Sequence, residues 1–306
     1  MSSLTKIMIS PHIHSGRSTS KIMLDVLISL LPATVAGVVI FGFSALLPIF
    51  VCVACCVIFE AIFNLITKKA QTIGDLSAAV TGLLLALNLP ANIPLWQCAV
   101  GSLFAIVIVK CIFGGIGCNI VNPAITARVF MLIAFSSMAT SATPVDTVAS
   151  ATPLSSGQAL PLATAFFGKY AGSIGETCTA ALLLGGVYLL VKRIITWHIP
   201  TAFIGTVFVL SFLFNGFDAY YALSLTMVGG VFIGAFFMAT DYVTSPFTAG
   251  GKLLFGFGAG LLTCLIRHFG NYPEGVSFAI LFMNILTPYI NQWTRYKVFG
   301  AGGKKR

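Results

Sequence analysis

The sequence predicts an all-α polytopic membrane protein of about ten transmembrane helices in two five-helix inverted repeats. Three observations carry this. Of 306 residues, 58% are hydrophobic and only 8% are charged, with a mean hydropathy of +0.99. A soluble domain carries about 25% charged residues, so this chain cannot cover a water-facing surface. The apolar residues fall into separate runs near the ~20 residues that cross a bilayer. The two halves also resemble each other at a shift of 152 residues: Gly82 matches Gly234, Pro94 matches Pro246, and Phe130-Met131 matches Phe282-Met283. Five spans per half is an odd number, so the second copy inserts upside down relative to the first.

The expected spans run, in order, over 22–41, 45–66, 76–89, 95–112, 124–139, 174–191, 200–214, 222–240, 253–266 and 276–290. They divide the chain into a short N-terminal segment (1–21), a first repeat (22–139), a loop (140–173), a second repeat (174–292) and a basic tail (293–306). Two spans are short and end in Pro-containing polar stretches, 88–94 and 240–246. Inverted repeats place broken helices of this kind at the centre of the fold. Such backbone at membrane depth must be buried in protein or line a wet cavity. Asp241, in the second stretch, either binds a cation or ligand or caps the next helix. The 114–119 stretch is glycine-rich but follows a membrane span, not a strand, so it reads as a tight turn.

Charge sets the orientation. With the N-terminus in the cytoplasm, fifteen of the seventeen Lys and Arg fall inside or at inner span ends, Lys110 and Arg128 among them; Lys169 and Arg267 fall outside. Asp146, Glu176, Asp218 and Glu274 fall outside as well. The excess of inner cations predicts both termini on the cytoplasmic side. The net charge of +9 is thereby a topology signal and does not point to nucleic acid. The N-terminus has no cleavable signal pattern. Seven of the eight cysteines lie in apolar runs, where Cys acts as a small hydrophobe, and Cys52-x-x-Cys55 reads as helix packing. The four histidines form no ligand set and no nucleophile–base arrangement is present, which argues against a hydrolase, a metal site or any catalytic residue of the chain's own.

The longest outer loop contains a small, hydroxyl-rich stretch that reads Ser-Ala-Thr-Pro twice, at 141–144 and 150–153. By residue type alone it is either a solvated loop or a hydroxyl-bearing modification site. Five stretches carry a resemblance that bears on this: TGLLLALNLP (81–90), NIVNPA (119–124), VDTVASATPL (145–154), FMATD (237–241) with TSP (244–246), and YPEG (272–275). With them the chain resembles the D subunit of Rnf electron-transport complexes, in the family that also holds the B subunit of sodium-pumping NADH:quinone oxidoreductases. The resemblance implies a redox-driven translocase component of the cytoplasmic membrane, part of a ferredoxin:NAD+ oxidoreductase that moves Na+ or H+. It implies an FMN held by a phosphoester on Thr152, flanked by Ser150 and Ala151 and attached by a flavin transferase. Thr143 is the duplicate, and Asp146 and Leu154 complete the longer pattern around Thr152. Asp241 and the broken helices are then a site for a second flavin such as riboflavin, or the lining of the ion path. The family's acidic motif continues Asp-Pro, whereas Tyr242 follows Asp241 here. The implied partners are the A, B, C, E and G subunits of Rnf, with membrane lipid and no nucleic acid; iron–sulfur clusters come from those partners. The quinone-reductase homologue usually has a longer N-terminal region, so a first span near Ile22 favours the Rnf form. From a different class, a cofactor-free transporter or channel shares the inverted-repeat architecture.

Overall fold

The structure, a computed structural model, describes residues 18–135, 160–168, 170–270 and 275–296. Among these residues twelve helices follow one another: α1 Thr19–Phe41, α2 Leu46–Ile66, α3 Ser77–Leu87, α4 Leu95–Leu103, α5 Pro123–Ala134, α6 Leu162–Phe167, α7 Thr179–Val191, α8 His198–Phe214, α9 Ala219–Met227, α10 Val231–Met238, α11 Ala249–Phe269 and α12 Val276–Trp293. The last turns of α10 (Gly234–Met238) and the continuation of α4 (Phe104–Cys111) are π-helical. Among the described residues, three helices are long and apolar enough to cross a membrane, Thr19–Phe41, Phe43–Ile66 and Ala249–Phe269. The pair α9 and α10 is apolar enough together but bends by 65° at residues 228–230.

Local chemistry sets these boundaries. Ser18, Asn122, Asp218 and Thr248 each turn a side-chain oxygen onto the free N–H groups of the helix that follows. Pro123 sits at the first position of α5, where its missing N–H costs nothing. The close approach of helices is built on glycine. A Cβ at Gly82 of α3 would lie 2.8 Å from the Cys52 carbonyl oxygen of α2, so only glycine lets the two backbones meet.

The two expected short spans are short in the structure. Helix α3 has 11 residues, and α10 ends at Met238. The 170–178 stretch is buried without being helical; its Ile174 and Gly175 N–H groups donate to Leu89 and Leu87 carbonyls at 3.0 and 2.7 Å. Backbone groups that α3 leaves open are thereby satisfied inside the protein.

At the shift of 152 residues α1 corresponds to α7, α2 to α8, α3 to α10, α4 to α11 and α5 to α12. Their packing corresponds too: α2 meets α3 and α4, as α8 meets α10 and α11; α5 meets α3 and α4, as α12 meets α10 and α11. Helices α1 and α7 pack together, as do α5 and α12, so equivalent elements touch across the centre.

The charge count needs correction at three residues. Lys110 is 2% exposed and paired with Glu60. Arg128, expected inside, and Glu176, expected outside, are ion-paired to each other in the core. Neither pair reports on a side of the membrane, because a charge neutralised in the interior gives the bilayer surface nothing to read.

Candidate functional site

The two broken elements converge on one cleft. Its walls come from the first turns of α1 and α3, the end of the π-helical segment after α4, the 116–124 turn, the end of α7, and α10 with residues 240–243. The cavity is about 110 Å³, several times the ~10–15 Å³ that holds one water. The glycine-rich stretch is the expected tight turn. Gly114, Gly115 and Gly117 have φ of 122°, 93° and 88°, which residues with a Cβ rarely adopt. This brings Gly117 and Asn119 to the cleft wall. Asn119 Oδ1 is buried and accepts no hydrogen bond. A buried acceptor left open in a cavity wall fits a ligand that donates to it.

Asn122, the N-cap of α5, ties the glycine turn to the end of α10. Its Oδ1 accepts from the Ala124 and Ile125 N–H groups at 3.0 and 3.4 Å, and its Nδ2 donates to Met238 O at 3.2 Å. Asp241 lies in the turn just beyond α10. Thr244 Oγ1 donates to its Oδ2 at 3.1 Å, and Thr287 Oγ1 on α12 donates to Thr244 O at 2.8 Å, pinning the turn. The carboxyl is half-buried, its open part facing the cleft, and loss of hydration pushes it above the usual carboxylate range. Hydrogen bonds from Thr244 and from the Val243 and Tyr242 N–H groups oppose that shift. A proline at 242 would lack one of those donors. The Tyr242 hydroxyl donates instead to Ile194 O beyond the end of α7, joining two walls of the cleft.

One buried charge pair adjoins this cleft, and a second lies elsewhere in the core. Lys110, at the end of the π-helical segment, donates to Glu60 Oε1 and Oε2 at 2.9 and 3.0 Å and to Ser77 Oγ. Ser77 and Lys110 both line the cleft. Farther in, Arg128 of α5 donates to Asn88 Oδ1 and lies 3.7 Å from Glu176 Oε2. Asn88 Nδ2 donates to Leu84 O at 2.7 Å and meets Met238 Sδ at 3.7 Å, where the ends of α3 and α10 come together. Glu176 Oε1 accepts from Ser173 N at 3.0 Å. In a low-dielectric interior such charges persist only when paired and hydrogen-bonded.

The structure thus brings Asp241 together with both broken helices and the glycine turn. Ser150, Ala151 and Thr152, with Thr143 and Asp146, lie outside the described residues. Sequence reasoning missed Glu60, Lys110, Asn88, Arg128 and Glu176 as a group. The signal was available, since ionisable residues inside apolar runs are costly and usually functional.

The sequence is similar to known proteins along nearly its whole length. The NQR2, RnfD, RnfE family model matches residues 6–300. The D component of the Na(+)-translocating ferredoxin:NAD(+) oxidoreductase complex of Acetobacterium woodii is 45% identical over 304 residues, covering 95% of this chain and 94% of that protein. The D component of the proton-translocating ferredoxin:NAD(+) oxidoreductase complex of Clostridium ljungdahlii is 43% identical over 314 residues, covering 95% of each. The D component of the ion-translocating oxidoreductase complex of Escherichia coli O7:K1 is 35% identical over 346 residues, covering 96% of this chain and 98% of its own.

Proposed function

We infer that this chain, which belongs to the NQR2, RnfD, RnfE family, is the membrane-embedded D subunit of an ion-translocating ferredoxin:NAD+ oxidoreductase. The observation that carries this is the match to proteins of that name along 95% of the chain. The two relatives are named for different ions, Na+ and H+, and the shared part of the reading is redox-driven cation translocation. The A, B, C, E and G subunits of Rnf are its partners and supply the iron–sulfur clusters. The two halves, five spans each, sit inverted in the cytoplasmic membrane, with both termini inside and the 140–173 loop outside. The equivalent packing of the two helix sets supports the repeat.

Electrons pass through an FMN esterified to Thr152 by its phosphate. The support is the motif around Ser150-Ala151-Thr152. A second flavin, such as riboflavin, occupies the cleft beside Asp241. The residues there fit it: Phe236 and Tyr242 put aromatic side chains in the wall, and Asn119, Ser77 and Asp241 put polar groups there for its polar edge. When bound, the flavin supplies one-electron chemistry; the protein supplies position, dryness and charge. Asn119 orients the edge through its open acceptor. Lys110, neutralised by Glu60 and fully used by Glu60 and Ser77, fixes the Ser77 hydroxyl in the wall without adding net charge to the site. Arg128 and Glu176 hold the end of the first broken helix against the buried 170–178 stretch.

The test is flavin fluorescence of the purified protein, matured with its flavin transferase, on a denaturing gel. Thr152→Ala should abolish it and Thr143→Ala should keep it. Fluorescence that survives Thr152→Ala and disappears in Thr143→Ala overturns the assignment. A protein with no bound flavin at all would point to a cofactor-free transporter.

A further inference from the structure

Helix α8 turns one row of side chains away from the protein. Thr201, Gly205 and Val209, four residues apart, are exposed, while Phe203, Val207 and Ser211 on the other side are buried. A Cβ at Gly205 would meet nothing within 4 Å. A hollow flanks the row on each side. One, of about 330 Å³, is walled by Leu190 of α7 and Phe236 of α10; the other, of about 340 Å³, is walled by Phe257 of α11. Thr201 and Gly205 line both, and each has the volume of a small-molecule site, roughly 300–1,000 Å³. The equivalent row in the first half is Ile49, Val53 and Val57, which are bulkier and buried or half-buried. The open row is thus particular to the second half.

Cations gather at one end of this row. Arg193 lies in the chain between Leu190 and Trp197, both of which line the first hollow. Lys252 Nζ on α11 donates to Thr196 Oγ1 at 3.3 Å, one residue from Trp197. Among the described residues no carboxylate is ion-paired with Arg193 or Lys252, whereas Lys192 is paired with Asp25. Trp197 is 57% exposed and stacks on His198 at 4.3 Å. No side chain caps the start of α8, so its free N–H groups add positive potential there. Tryptophan beside Lys and Arg marks the level of membrane headgroups. From Trp197 to Leu210 the helix rises about 20 Å, which exceeds the ~15 Å of hydrocarbon in one leaflet.

We propose that this face binds one anionic diacyl phospholipid, its phosphate between Arg193 and Lys252 and one acyl chain in each hollow. Two hollows of near-equal size on either side of a row suit two chains. A partner's helix would need one continuous face of small residues, and here Val209 and Leu213 end the small part of the row with larger, exposed side chains. The uncompensated charge at the headgroup level selects an anionic lipid, because each Lys or Arg near such a headgroup is worth about fivefold in affinity. Phe236 lines both the first hollow and the cleft, so the seated chain backs the cleft wall from outside. The proposal rests on the chain's lying in a membrane and is independent of what the cleft holds.

The test is native mass spectrometry of the whole chain in detergent, titrated with phosphatidylglycerol, with phosphatidylcholine of the same acyl chains, or with inorganic phosphate. One phosphatidylglycerol should bind, at least about tenfold more tightly than phosphatidylcholine, and phosphate alone should not bind. Arg193→Gln/Lys252→Gln should weaken phosphatidylglycerol by about tenfold or more and leave phosphatidylcholine unchanged. Gly205→Leu, which adds its side chain to open space and keeps α8 intact, should weaken both lipids; Gly205→Ala, which leaves the hollows open, should weaken neither. Equal affinity for the two lipids or for inorganic phosphate overturns the proposal, as does phosphatidylglycerol binding that survives every variant. A chain that binds neither lipid but loses a partner subunit in Gly205→Leu overturns it too, and makes a helix the occupant.

Discussion

Arg128 and Glu176 lie 3.7 Å apart with side chains only 3% exposed, although the sequence places one at an inner span end and the other at an outer span end. The Arg128 guanidinium reaches the end of α3 through Asn88, and Glu176 belongs to the buried stretch whose N–H groups satisfy α3 carbonyls. The pair therefore bridges the first broken helix and the irregular segment that covers it. Gly230, at the bend between α9 and α10, packs beside Glu176: a Cβ there would lie 3.4 Å from Oε2.

Removing one member should cost far more than removing both. Arg128→Met or Glu176→Gln leaves the other charge uncompensated in the interior, a loss of about 3–5 kcal/mol in unfolding free energy. The double variant Arg128→Met/Glu176→Leu should recover most of it. Denaturant titration of the purified protein measures this. Single and double variants of equal stability would mean that the two charges do not depend on each other.

Glycine substitutions should separate helix contact from open surface. Gly82→Ala drives a methyl against α2 backbone, 2.8 Å from both Cys52 O and Val53 Cα, and should destabilise by about 1–3 kcal/mol. Gly205→Ala on α8 meets nothing within 4 Å and should be neutral or stabilising by up to about 1 kcal/mol. Equal unfolding temperatures for the two variants would refute the tight α2–α3 contact.

Asp241 should make stability fall as pH rises. Its folded-state carboxyl titrates above the ordinary value, with loss of hydration as the main cause. The stability tied to its proton is fully present below the unfolded value, about pH 4, and is lost as pH climbs through the raised folded value. Asp241→Asn stays neutral, so its unfolding temperature should lack that fall and exceed the wild type above the window. Parallel pH profiles for the two proteins would rule the effect out.

The open acceptor on Asn119 gives a binding prediction. Asn119→Ala removes the buried oxygen that a flavin edge would satisfy, worth about 1–3 kcal/mol, so riboflavin affinity should drop by about tenfold or more. Fluorescence quenching titration reads it directly. Unchanged affinity would take Asn119 out of the site.

The helical class, the order of elements and the family were all legible in the amino-acid sequence. Apolar runs, caps such as Asn122-Pro123 and glycines such as Gly114 and Gly117 act over a few residues, so they can be read in one dimension. Asp241 and the two short spans were legible too, because polar, proline-bearing backbone among hydrocarbon stands out locally. Which charges are neutralised inside was not legible, and it took the folded chain to settle it. Lys110 meets Glu60 at a separation of 50 residues, and Arg128 meets Glu176 from the far side of the 140–173 loop. Counted along the chain, these side chains look like topology signals. Whether a charge faces water or a partner depends on long-range packing, and in a low-dielectric core that packing outweighs position in the sequence.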